Sequence, residues 1–144
     1  MARFSAGDLT TAGGNTTPII SLYGIANRHG VVREIGVTNT TAVAVALYVV
    51  RLTTRTNPGA NLLELPHSGA VITASCLATG THSGVETVLD AGYRAVLGAA
   101  IGSGVIWTFG DEGLSTLIGT TAGIGVCVEN GTGQACQAYI VWDE

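Results

Sequence analysis

A chain of 144 residues has the size of one domain and is long enough to bury a sizeable core. Hydrophobic residues make up 47% of it and charged residues only 11%, where an average soluble domain carries about a quarter charged residues. The net charge of −4 comes from ten acids and six scattered arginines, with no lysine, which argues against nucleic acid as a partner because phosphates call for clustered cations.

A surface so poor in charge loses little hydration when covered, and this favours association with neighbours. Met1-Ala2-Arg3-Phe4-Ser5 lacks the apolar stretch of a secretory signal. The apolar segment Thr41 to Leu52 is too short to cross a bilayer and carries Arg51. The protein is therefore expected to be made in a cytoplasm, to stay soluble until it assembles, and to have no membrane partner.

Residues 1–17 are mostly small and polar, with Gly13-Gly14-Asn15-Thr16-Thr17 running into Pro18. They are expected to form an extended N-terminal arm ahead of one domain over 18–144. From Pro18 onward the pattern is strand, turn, strand. Ile19 to Tyr23 is a short β run closed by Gly24, and Val31 to Val37 partly alternates apolar with polar. Ala42 to Thr54 reads as a long strand with Val43, Val45, Leu47 and Val49 on one face and Ala44, Ala46, Tyr48 and Val50 on the other. Its density of Val, Tyr and Thr, without a cap, favours strand over helix.

Residues 57–84 are irregular, and within them Ala70 to Leu77 fits either a short helix or a strand. Val85 to Leu89 is a short strand and Gly104 to Phe109 a strong one. Ala122 to Val128 and Gln134 to Trp142 form the last pair, joined through Glu129-Asn130-Gly131-Thr132-Gly133, a loop with hairpin chemistry. About eight short strands with frequent turn residues predict an all-β chain, a single-domain β-sandwich of jelly-roll type.

No pattern carries catalytic chemistry. His29, His67 and His82 sit beside Gly, Ser or Pro in expected solvated loops, and Gly-x-Ser-x-Gly does not occur. His67 and His82 with Glu64, Glu86 or Asp111 have no metal-ligand spacing. Asp111-Glu112 reads as a turn, because adjacent acids point apart. Gly119 to Gly125 lacks the strand–turn–helix setting of a phosphate loop. The chain is expected to have no catalytic residue, no cofactor and no metal.

Cys76, Cys127 and Cys136 match no zinc or redox motif. They read as buried thiols, although Cys127 and Cys136 are expected on neighbouring strands, where pairing stays open. Trp107 and Phe109 share one strand face, which suits core packing, an interface anchor or a sugar-stacking platform.

Several segments carry a family likeness: Met1-Ala2-Arg3-Phe4-Ser5-Ala6-Gly7, Arg33 to Thr41, Gly92-Tyr93-Arg94-Ala95, Gly104 to Gly110, Gly123-Ile124-Gly125, Gly131 to Gln134 and Tyr139 to Glu144. Together they resemble a family of short phage-encoded virion structural proteins. The resemblance implies a component of the bacteriophage particle and brings no catalytic or binding residue with it. The expected role is a non-enzymatic capsid decoration (cement) protein, a homotrimer that contacts the major capsid protein and copies of itself. Arg3 and Phe4 on the arm, with Trp107 and Phe109, are the expected interface residues. The alternative is a tail or fibre-associated jelly-roll module that binds host surface carbohydrate through Trp107, Phe109 and Asp111.

Overall fold

Alternation along each strand decides which side chains meet in the middle. The computed structural model describes residues 1–144 as eleven strands without a helix: β1 (Arg3–Leu9), β2 (Ile20–Tyr23), β3 (Val31–Asn39), β4 (Val45–Leu52), β5 (Leu65–Pro66), β6 (Leu77–Thr79), β7 (Val88–Leu97), β8 (Gly104–Thr108), β9 (Leu114–Ser115), β10 (Gly123–Val128) and β11 (Cys136–Asp143). They form two antiparallel sheets. One runs β5-β1-β11-β3-β8, with β9 also on β3, and the other runs β6-β2-β10-β4-β7. The chain is an all-β sandwich.

One cluster fills the space between the sheets. Phe4, Ala6, Ile35, Val37, Trp107, Ala138, Ile140 and Trp142 come from the first sheet and meet Leu22, Val45, Leu47, Val49, Ile124 and Val126 of the second. Burying each large side chain contributes about 1.5–3 kcal/mol. The other face of β4 is covered as well: Tyr48, Val50 and Leu52 pack with Tyr23 and Cys127 in a second cluster. Glycine allows one close approach on the outside of the first sheet. A Cβ on Gly36 would run into the Tyr139 ring, whose hydroxyl donates to Glu34 Oε1 at 2.6 Å.

Residues 1–17 are not a free arm. β1 pairs with β11 along its whole length, from Arg3 opposite Asp143 to Leu9 opposite Gln137. The reason is alternation: Phe4 and Ala6 turn into the core, while Arg3, Ser5 and Gly7 face out. Phe4 is 1% exposed and stacks on Trp142 at 5.8 Å between ring centres. Behind β1, the Asn15 carbonyl accepts from Tyr48 and the Thr16 carbonyl from the Glu86 amide.

The last two strands do not form a hairpin. The turn itself has the expected chemistry, with Asn130 and Gly131 at φ 52° and 67° and Thr132 N–H bonded to the Glu129 carbonyl. The connection nevertheless crosses the sandwich, since β10 lies between β2 and β4 and β11 between β1 and β3. Cys127 and Cys136 thus lie on different sheets, and all three cysteines are free and buried. The segment over 70–76 contains neither helix nor strand, and β7 extends eight residues past the expected end at Leu89.

Candidate functional site

The four expected interface residues are not brought to one surface. Phe4 is in the core. Trp107 and Phe109 face inward and are each 9% exposed, and the Phe109 ring meets Tyr93 edge-on at 5.1 Å. Neither is presented as a flat exposed platform, because the alternation that pairs them also points them at the opposite sheet. Arg3 stays at the surface but is tied down: its Nε and Nη2 donate to Asp143 Oδ1 and Oδ2 at 2.7 and 2.9 Å. Arg33 Nε donates to Asp143 Oδ2 at 2.7 Å. The Arg3 hydrogen bond, with Arg33 adding to it against the opposing effect of burial, holds the Asp143 carboxyl below its ordinary range. Arg33 also bonds the Gly110 and Asp111 carbonyls, so it fixes the turn after β8.

His29 and His67 are exposed as expected, but His82 is not: it is 4% exposed and belongs to a buried polar network. Ser21 Oγ lies 2.8 Å from His82 Nε2 and 2.7 Å from Thr79 Oγ1. His82 Nδ1 lies 3.2 Å from Glu86 Oε1. Glu86 further accepts from Thr54 Oγ1 and the Thr56 and Asn57 amides at 2.6–2.9 Å. Hydroxyl, imidazole and carboxylate stand in the order of a nucleophilic triad. A nucleophile also needs room about 3 Å away for a reacting atom. Ser21 is 0% exposed, and neither surface cleft touches any of these residues. What the arrangement does in this geometry is pin β2, β6 and the 54–57 turn together. His82 and Glu86 come together without a third metal ligand; no group of three His, Cys, Asp or Glu side chains converges anywhere.

Burial pushes the His82 imidazole down, and the Glu86 bond offsets this only in part. Burial pushes the Glu86 carboxyl up, but the bonds from Thr54, Thr56, Asn57 and His82 outweigh it and leave the group below its ordinary value. Both groups therefore titrate lower in the folded chain than in the unfolded one. The unfolded state takes up protons first, so stability present at neutral pH is lost as pH falls. The loss begins below the ordinary value of 6.5 for His82 and continues below 4.5 for Glu86. For His82 the slope is at most about 1.4 kcal/mol per pH unit. Thermal melts between pH 8 and 4 should show a plateau above about 7 and a decline below it; a melting temperature unchanged down to pH 5 would count against the buried neutral imidazole.

The exterior carries the other feature of note. Fifteen large apolar side chains are exposed, among them Leu63 (95%), Val71 (106%), Val96 (75%), Ile101 (76%) and Ile106 (63%). Leu89 and Tyr93 are the extra residues of two bulges in β7, and Tyr93 sits at φ 37°. Beside Tyr93 opens a cleft of about 230 Å³ lined by Val49, Arg51, Asp90, Leu114 and Ile124. Asp111 and Glu112 are exposed in the turn after β8.

Sequence reasoning missed the buried network. Its one signal was Ser21, a polar residue inside the apolar run Ile19 to Tyr23. Comparison of the chain with protein-family models, curated proteins and solved structures finds no match in any of the three.

Proposed function

We propose that this protein is a non-enzymatic bacteriophage virion component, a capsid decoration protein that seats on the head surface and binds the major capsid protein and copies of itself. The observation that carries this reading is the exterior: fifteen large apolar residues are exposed on a chain with 11% charged residues. Scattered apolar residues are normal on monomers. So many on a surface with so little charge suit a protein whose faces are covered in an assembly.

The strand order supports the jelly-roll reading. Without the short β5, β6 and β9, the sheets run β1-β11-β3-β8 and β2-β10-β4-β7, which is the wiring of two interlocked Greek keys. A rigid sandwich of this kind repeats one contact over a shell, and multivalency strengthens weak contacts. The family likeness of the segments around Arg33 to Thr41 and Gly104 to Gly110 points the same way.

Mass spectrometry of separated heads and tails, with copies counted against the major capsid protein, tests the reading. Near-stoichiometric copies in heads are expected. A few copies confined to tails would overturn it and favour the second reading, a tail or fibre module for host carbohydrate. One observation favours that second reading: the cleft beside Tyr93 sets an exposed ring near the carboxylate of Asp90 and the guanidinium of Arg51, a combination suited to stacking on and hydrogen-bonding to a sugar.

A further inference from the structure

Each sheet has two edges, and unpaired edge backbone invites another strand unless it is guarded. Three of the four edges are guarded. β5 is two residues long and contains Pro66, and the stretch of β1 that it leaves open, Ala6 to Leu9, carries the charge of Asp8. β6 is capped by the neighbouring loop, with a bridge between Asn61 and Thr79 and Leu62 N–H bonded to the Ala78 carbonyl. β7 carries Asp90 and Arg94, bulges at Leu89 and Tyr93, and the positive φ of Tyr93. All three features interrupt regular pairing.

β8 is different. Gly104-Val105-Ile106-Trp107-Thr108 contains no charge and no proline and pairs with β3 in unbroken register from Glu34–Thr108 to Thr38–Gly104. None of its backbone groups bonds to anything beyond that ladder. Ile106 at its centre is 63% exposed, and Ile101 in the preceding turn is 76% exposed.

We infer that the β8 edge is the contact between two copies of this chain, joined by antiparallel β8–β8 pairing about a two-fold axis at Ile106. The strand is self-complementary in that register. Ile106 faces Ile106 of the second copy, Gly104 faces Thr108, and Val105 faces Trp107. Charge agrees. Continuing the register places Asp111 and Glu112 opposite Ile101 and Ala100 of the second copy, in the uncharged turn over 98–103, so no like charges meet. On β7 a pairing about the middle of the strand runs into the bulge at Tyr93, and the run past it, Arg94 to Leu97, is short and carries a charge. The contact rests on the reading of a protein that assembles with copies of itself, and it names the surface and makes the unit a dimer in place of the expected trimer.

Sedimentation velocity and native mass spectrometry of the full chain test it. The expected result is a dimer whose dissociation constant rises at least tenfold in Ile106→Lys, because like charges then face each other across the axis. Mixing Ile106→Lys with Ile106→Glu should restore a heterodimer, and Val96→Lys on β7 should leave the dimer intact. On the unaltered protein, amide exchange in β8 should slow with rising concentration while that in β7 does not, a readout that needs no variant to fold. A monomer at every concentration, a three-fold assembly, or a dimer indifferent to Ile106→Lys would overturn the contact. A monomer that still coats heads would do so while leaving the decoration reading standing. A dimer broken by Ile106→Lys but absent from heads would uphold the contact and remove the decoration reading.

Discussion

Glu86→Ala is expected to cost about 3–5 kcal/mol of stability, the range for stranding the partners of a buried charged group. Four groups lose their acceptor at once: Thr54 Oγ1, the Thr56 and Asn57 amides, and His82 Nδ1. Glu86 is itself only 5% exposed, and Ser21, Thr79 and His82 beside it are equally shut away. The carboxylate is shut away, but Thr56 is exposed and Thr54 and Asn57 are half-buried, so water reaches part of the broken set and the loss falls at the lower end of that range. Glu86→Gln keeps one acceptor oxygen and should cost about half as much, since it forfeits the charge and one lone-pair set. Urea unfolding of the three proteins checks this. A loss under about 1 kcal/mol for Glu86→Ala would show the network to be dispensable, in the range of a surface substitution.

Phe4→Ala is the second large effect. A phenylalanine four residues from the start of an arm would be replaceable at almost no cost, within about 0.5 kcal/mol. Here the ring is 1% exposed and stacked on Trp142, which is itself fully buried. Truncation leaves a cavity in the core between the two sheets, beside the Trp142 ring, and is expected to cost about 3–5 kcal/mol. Thermal and denaturant melts decide between the two accounts, and the neighbouring outward position supplies the contrast. Ser5→Ala, half-buried on the outer face, should move the midpoint little.

Much of the fold could be read from local patterns. β3, β4, β8, β10 and β11 announce themselves through runs of Val, Ile, Tyr and Trp, and β4 shows an apolar set on both faces because both faces are covered. β1 does not show in the sequence because its outward residues are Arg3, Ser5, Gly7 and Leu9 and its buried ones are only Phe4 and Ala6. So little apolar content looks like a tether until β11 is beside it.

β7 reads as ending at Leu89 because its two bulges shift the period, so Asp90-Ala91-Gly92-Tyr93-Arg94 shows no alternation. The Asn130-Gly131 turn is legible from its chemistry, but a turn motif does not say whether the next strand stays in the same sheet. The polar network was the least legible part. Its residues come from Ser21, Thr54 to Asn57, Thr79, His82 and Glu86, and no local pattern links positions so far apart. For the interface, charge scarcity was visible in composition, whereas which edge stays unguarded depends on bulges and pairings that only the folded chain displays.

The pairing of β1 with β11 also governs how the chain reaches this state. Arg3 lies opposite Asp143 and Phe4 opposite Trp142, so β1 finds its partner only after more than 130 further residues have been made. β11 is also the sole bridge between β1 and β3 in its sheet. During synthesis Phe4 and Ala6 must wait uncovered, and loop-closure entropy has to be overcome before these contacts contribute. Refolding is accordingly expected on the millisecond-to-second scale, as for other sandwiches dominated by distant pairings. A nascent chain halted before residue 136 would hold every strand of this sheet but β11, with β1 and β3 left without the strand that joins them.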